Sequence, residues 1–273
     1  MLEQLLLFAP GFVLGLFMSA VLAALGVILR LRDEALSAFS HAQVAVLGAM
    51  LAAIAGWPLL IGAWGLAMLV AVAGLWLIKP VAAVASSRHL LVLLLAWSAC
   101  LLLADNHAQA RLLSASAVEG QLLLVQWRDV VAHGVVGALG AAVLGGVSKA
   151  LLAHQLLPWL PGAPGRAHAL ARELAVVAIL ATGALASGIF VTLALVLIPA
   201  WSVWASARGL RAAVLQAAIL GASAHVLAFG LALVLDQVYP AVMIVVLALM
   251  AAAHGGSRKW AALTFRWGRR VRR

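Results

Sequence analysis

The sequence predicts an all-α protein that crosses a membrane several times, and three observations support this fold class. Hydrophobic residues make up 66% of the 273 residues and charged residues only 10%, whereas about a quarter of a soluble domain is charged. Apolar runs long enough to cross about 30 Å of hydrocarbon recur along the whole chain. Proline, glycine and basic residues separate these runs, as expected between membrane helices. A soluble globular domain is therefore excluded.

The apolar runs predict nine crossings, or eight if one weak break is not used. The first run follows Glu3 and not a basic segment, so we expect a membrane helix and not a cleavable signal peptide. Later runs end at "GWP" (56–58), "IKP" (78–80), "PWLPGAPG" (158–165) and "VYP" (238–240). The weak break is Ser187-Gly188. The nine predicted spans are residues 5–29, 35–55, 58–78, 89–104, 129–148, 171–187, 188–205, 210–235 and 239–254.

The basic residues predict the orientation of these spans. If the C-terminus is cytoplasmic, only Arg111 and Arg128 of the 18 lysines and arginines lie outside, as the positive-inside rule requires. The net charge of +10 is therefore interpreted as a topology signal, and no nucleic-acid partner is expected. We predict one transmembrane domain over residues 1–257 and a basic cytoplasmic tail over 258–273, which also suits binding to anionic lipid. The single cysteine, Cys100, leaves no disulfide.

The segment "SAFSHAQ" (37–43) places polar side chains inside the second predicted span. His41 lies about 9 Å from the cytoplasmic end of that span, at 1.5 Å per residue, and Ser37 shares its helix face at i−4. Such a patch either forms hydrogen bonds with neighbouring helices or lines a substrate path, since ionisable groups in a membrane are costly. The residues alone favour neither interpretation.

Two other groups of polar residues are candidates for binding or packing. Asp129 and His133 lie at i and i+4 near the outer end of the fifth span, a spacing that suits Zn²⁺ or Mn²⁺ but also an ordinary hydrogen bond at a helix start. His225, in "GASAHVLAFG", is either a packing donor or a ligand. The remaining histidines at cytoplasmic ends and loops are predicted to be solvated: His89, His154, His168 and His254.

Three segments in register resemble the permease subunits of the ABC-3 family of ABC importers for zinc, manganese and iron. "SAFSHAQVAVLGAML" (37–51) is similar to the second-helix signature G-D-A-L-S-H-A-x-L-P-G-V-A, but Ser37 stands where the family has Asp. "SAVEGQLLLVQWRDVVAHG" (116–134) resembles the segment before the family's fifth helix, and residues 177–236 resemble its C-terminal block.

The resemblance implies an ABC importer permease fold and transport of a divalent metal, zinc or manganese, across the bacterial cytoplasmic membrane. It implies no stably bound cofactor, ATP on a separate ATP-binding cassette subunit, a periplasmic or lipid-anchored metal-binding protein, and a permease homodimer. The candidate path residues are His41, Ser37, Asp129, His133 and His225. Because Ser37 lacks the family carboxylate, we expect another acid, Asp129 or Asp236, to supply charge.

The resemblance also places the coupling helix that contacts the ATPase in the 149–172 loop. Its candidate contact residues, in "GRAHALARE" (165–173), are Arg166, His168, Arg172 and Glu173. The alternative is a plain amphipathic connector without a partner.

Several motifs are absent. The chain has no G-x-x-x-x-G-K-[ST], H-E-x-x-H or G-x-S-x-G motif, so it is predicted not to be an enzyme and to draw energy from a partner or an ion gradient. One alternative is a proton-coupled secondary transporter of a small polar or metal substrate, with His41 and Asp129 as relay groups, although no convincing inverted repeat is found. A membrane-embedded metal enzyme is a further alternative.

The predicted orientation is testable by cysteine labelling in a Cys100→Ser background. A Ser257→Cys variant is expected to react with an impermeant thiol reagent only from the cytoplasmic side, because the basic tail faces the cytoplasm. A Ser114→Cys variant, in the predicted outer segment, serves as the control and should react from outside. Outside labelling of the cysteine at position 257 would contradict the topology.

Overall fold

The computed structural model describes the backbone of residues 2–77, 82–120, 122–156, 165–204 and 206–270. Within these ranges the side chains of 2–7, 77, 82–86, 118–119, 123, 148–156 and 255–270 are not described. The described chain is all α-helical apart from turns and one short 3-10 segment at Leu122–Leu124. Its α-helices are α1 (Leu2–Leu31), α2 (Ala35–Ala55), α3 (Leu59–Leu77), α4 (Ala82–Asn106), α5 (Ala108–Glu119), α6 (Trp127–Leu156), α7 (Arg166–Ser187), α8 (Ile189–Trp204), α9 (Leu210–Leu235) and α10 (Tyr239–Arg270).

The predicted all-α membrane class is confirmed, and each predicted span coincides with one of these helices. Seven helices of the described chain are long and apolar enough to cross a membrane, so this is a multi-pass membrane protein. The two shorter apolar segments are α8 and the first half of α10, Tyr239–His254. The weak break at Ser187-Gly188 is used: Gly188 has φ +85°, a conformation that other residues rarely adopt.

One connection differs from the expected organisation. The connection predicted as an outer loop contains α5, which packs against α4 and α2 and buries Ala110 completely. The hydrophobic pattern does not predict α5, because its sequence is mixed and polar and the helix is stabilised by tertiary packing. At the other end of the chain, α10 runs from Tyr239 to Arg270, on both sides of the predicted boundary at 257/258, and the division into a domain and a tail stays a prediction.

The helices differ in how far they lie inside the bundle. Helices α1, α2 and α7 have mostly buried faces, whereas α3, α4 and α6 present most of their side chains outward. The main core cluster contains side chains such as Leu14, Met18 and Leu22 of α1, packed against Leu180 of α7 and Leu195 of α8. Because α2 and α7 lie inside, polar residues such as His41 of α2 and Arg172 of α7 are buried within the protein and do not face lipid.

Close approach of α2 and α3 depends on two facing glycines. A Cβ added at Gly62 would collide with the Gly48 carbonyl oxygen and with the Ala52 side chain. A Cβ added at Gly65, one turn further along the same helix, would meet nothing within 4 Å. Small residues of this kind allow membrane helices to pack closely.

Gly62→Ala is therefore expected to destabilise the protein, because overpacking costs about 1–3 kcal/mol and outweighs the gain of about 1 kcal/mol in helix propensity. Gly65→Ala, the matched control, should leave stability unchanged or slightly raise it. Thermal unfolding in detergent measures the difference. Equal melting temperatures for the two variants would show that the α2–α3 contact is loose.

Candidate metal path

Side chains from the α1–α2 turn, α2, α4 and α7 surround a cavity of about 670 Å³. Apolar residues of α3, from Leu69 to Leu75, close one side of it. The cavity lies where α1 ends and α2, α4 and α7 begin, which is the end that the basic residues assign to the cytoplasm. Its polar lining residues are Arg32, Asp33, Glu34, Ser37, Ser40, His41, Arg88, His89, Arg172 and Glu173.

An ion-pair network centred on Arg172 crosses this cavity. The buried guanidinium donates through Nη1 to Glu34 Oε2 at 2.6 Å and through Nη2 to Glu34 Oε1 at 3.1 Å. Nη2 also lies 3.1 Å from Glu173 Oε2, and Arg32 Nε donates to Glu34 Oε1 at 2.8 Å. Charged bidentate pairs of this kind are among the stronger hydrogen bonds. The network therefore ties the α1–α2 turn to α7.

The ionisation of Glu34 reflects two opposing effects. Burial alone would raise its pKa, but the Arg172 and Arg32 guanidiniums outweigh burial and hold the pKa of Glu34 below its ordinary value. The carboxylate therefore stays charged in the folded protein at neutral pH.

His41 projects from α2 against Glu173 of α7. The side chain is 3% exposed, and its Nε2 lies 3.5 Å from Glu173 Oε1. Its other nitrogen, Nδ1, is buried without a hydrogen-bond partner. Ser37 also borders the cavity, but its hydroxyl donates to the Glu34 carbonyl at 2.6 Å. The acid beside His41 is therefore Glu173, and not Asp129 or Asp236 as predicted.

The prediction that His89 is merely solvated is wrong. Its ring is half-buried and meets the His41 ring edge-on, with centroids 5.7 Å apart. Its Nδ1 lies 3.1 Å from Ser40 Oγ and its Nε2 lies 3.2 Å from Arg88 Nη2. The basic start of α4 suggested an interfacial residue, whereas α4 packs against α2. One feature of the sequence indicated that His89 could lie near His41: both residues lie at the predicted cytoplasmic ends of their spans.

Asp129 and His133 do not form the predicted ligand pair. The His133 Nδ1 donates to the backbone carbonyl of Asp129 at 2.8 Å, while Asp129 Oδ2 accepts from the Gln126 backbone N–H at 3.0 Å. The carboxylate therefore caps the start of α6, where the first backbone N–H groups have no acceptor within the helix. The interpretation as an ordinary hydrogen bond at a helix start is the one that this geometry supports.

His225 takes the packing role and does not line the cavity. It is completely buried, with Nδ1 2.8 Å from the Tyr239 hydroxyl and Nε2 3.1 Å from the Phe12 carbonyl oxygen. Since the carbonyl can only accept, Nε2 carries the hydrogen and Nδ1 accepts from Tyr239. Both ring nitrogens are satisfied, so this histidine holds α9 against α1 and α10.

The residues predicted to contact a partner divide into two pairs. Arg166 and His168, in the first turn of α7, are exposed. Arg172 and Glu173 lie further along the helix, where Glu34 and His41 engage them inside the protein. Only the first pair therefore lies on an accessible surface at this end of the bundle.

No preassembled metal site is visible: the described ranges contain no group of three or more His, Cys, Asp or Glu residues that could hold a metal ion. His41 and Glu173 together offer one imidazole and one carboxylate, which are ligands that Zn²⁺ and Mn²⁺ accept.

Glu34→Gln is expected to reduce the free energy of unfolding by about 1–3 kcal/mol at neutral pH, because Arg172 then loses a charged acceptor. Since the pKa of Glu34 is lowered on folding, its stabilising effect is present above the unfolded pKa of about 4.3 and is lost as pH falls through the folded value. The difference in the free energy of unfolding between wild type and Glu34→Gln should therefore disappear in acid. Thermal unfolding across a pH series measures it.

Asp33→Asn is the matched control, because Asp33 is an exposed acid in the same turn and Asn tolerates its positive φ. A control that loses as much stability as Glu34→Gln would contradict the account.

The fold is similar to solved structures. One is PsaBC from Streptococcus pneumoniae in complex with Fab, with a TM-score of 0.79 and 19% identity over 93% of each chain. Another, described as a metal-chelate type ABC transporter in an inward-facing conformation, has a TM-score of 0.67 and 16% identity over 94% of this chain and 86% of that one. No protein-family model and no curated sequence matches the chain. The chain therefore has the fold of the metal-type ABC permeases that its sequence resembles.

Proposed function

We propose that the chain is the permease subunit of an ATP-driven importer for a divalent transition metal, zinc or manganese, and that His41 lines its path. The observation that carries the proposal is the pairing of His41 with Glu173 on the wall of the cavity, 3.5 Å apart between Nε2 and Oε1. The similarity to ABC permeases of the metal type supports the class of transporter.

The chemistry of His41 and Glu173 suits the passage of a metal ion. Burying a polar group without a partner costs about 1–3 kcal/mol, so the unpartnered Nδ1 of His41 calls for a functional explanation. Glu173 supplies the negative charge that Ser37, in the position of the family Asp, does not. Two ligands hold a dication weakly, and a conducting site must release its ion.

Partners follow from the same proposal. The exposed Arg166 and His168 in the first turn of α7 are candidate contacts for the ATP-binding cassette subunit, and the segment from Ser206 to Arg211 is the alternative. A metal-binding protein would deliver the ion at the opposite end, near α5 and the start of α6. A second permease copy would complete the transporter, with the C-terminus cytoplasmic.

His41→Ala tests the proposal. Metal uptake per molecule should fall by roughly 10–100-fold, the range typical for loss of a group that supports metal binding, while protein abundance and co-purification of the ATPase stay normal. Uptake of radioactive zinc or manganese by right-side-out vesicles that contain ATP provides the measurement. Ser37→Asp, which restores the family residue, should be tolerated.

Ser223→Ala is the control, because Ser223 lies on α9 and does not line the cavity. If His41→Ala lowers abundance but the surviving protein transports normally, His41 is a packing residue. Uptake that is independent of ATP and abolished by a protonophore would instead favour the proton-coupled alternative.

A further inference from the structure

The hydrogen bonds of His89 determine which of its nitrogens holds a lone pair. Arginine has only donors, so His89 Nε2, 3.2 Å from Arg88 Nη2, must accept. Nδ1 therefore carries the hydrogen and donates to Ser40 Oγ at 3.1 Å, and Ser40 Oγ donates to the Ser37 carbonyl at 3.0 Å. His89 is thus a neutral imidazole. Its ring nitrogen with a lone pair, Nε2, accepts from the Arg88 guanidinium.

Glu173 is held in a similar way. Its Oε2 accepts from Arg172 Nη2 at 3.1 Å, while Oε1 faces His41 Nε2 at 3.5 Å. His41 keeps a second nitrogen, Nδ1, buried and without a partner. Three groups that commonly bind transition metals, two imidazoles and one carboxylate, therefore border one cavity from α2, α4 and α7.

Two guanidiniums stand beside these three groups. Arg88 is anchored on its far side, because Nη1 donates to the Gly74 carbonyl of α3 at 3.0 Å. Arg172 is anchored by Glu34. In this arrangement the arginines occupy His89 Nε2 and Glu173 Oε2, two of the atoms that a metal would use.

We propose that His89 is a further metal ligand, which joins His41 and Glu173 to form an exit site for a divalent transition metal, and that Arg88 and Arg172 are tethered cations that compete with the metal. This inference rests on the proposed function, since it takes the metal as cargo. A dication that binds His89 must displace Arg88 from Nε2, and one that binds both oxygens of Glu173 must also displace Arg172 from Oε2. The returning guanidiniums then repel the ion toward the cytoplasm, because like charges at short distance disfavour each other.

Zinc binding by the full-length chain in lipid nanodiscs tests the inference, with a chromogenic chelator as competitor. Arg88→Gln keeps a hydrogen-bonding side chain but removes the charge, so it should bind Zn²⁺ more tightly than wild type by roughly tenfold or more. Arg88→Lys, the matched control, keeps the charge and should bind as weakly as wild type. Adding His89→Ala to Arg88→Gln should abolish the gain.

Two results would overturn the inference: Arg88→Gln binds Zn²⁺ no more tightly than wild type, or the double variant binds as tightly as Arg88→Gln alone. If Arg88→Gln does not fold, His89→Ala in the wild-type background carries the test, and an unchanged Zn²⁺ affinity overturns the proposal. The proposed function fails separately. If metal uptake requires His41 but Arg88→Gln does not bind Zn²⁺ more tightly, the proposed function holds and the exit site is wrong. If Arg88→Gln binds Zn²⁺ more tightly but the protein shows no ATP-dependent uptake, the exit site holds and the proposed function is wrong.

Discussion

The guanidinium of Arg172, shared between Glu34 and Glu173, is the interaction on which the polar end of this bundle depends. Burying an arginine on a helix face is costly unless acidic partners compensate its charge. Glu34 lies in the turn that ends α1 and Glu173 lies on α7, so one side chain fixes both elements. The orientation of Glu173 toward His41 follows from this arrangement.

The rest of the fold provides a rigid frame for that polar end. Helices α1, α2 and α7 are largely buried, and the facing glycines Gly48 and Gly62 bring α3 close to α2. At the other end, Asp129 caps α6 and His225 joins α9 to Tyr239. Asp129 and His225 thus make structural hydrogen bonds away from the cavity, while His41 keeps an unpartnered nitrogen beside it.

Composition and hydrophobic runs were sufficient to predict the membrane class, the nine helices that coincide with the predicted spans, and the break at Gly188. They did not predict α5, because tertiary contacts stabilise its mixed polar sequence. The single residue His41 stood out for its cost in an apolar setting. Its neighbours Glu173 and His89 did not, because hydrophobicity identifies helices but not which faces of α2, α4 and α7 meet. The spacing of Asp129 and His133 was equally compatible with a helix cap, which is what forms.

The most direct test of the central claim, that His41 lines a metal path open to the cytoplasm, is the accessibility of a His41→Cys variant in a Cys100→Ser background. An anionic, membrane-impermeant thiol reagent should modify the cysteine in inverted vesicles but not in right-side-out vesicles, and Zn²⁺ should slow the reaction. A cysteine that reacts from neither side, or at a rate that Zn²⁺ does not change, would contradict the account.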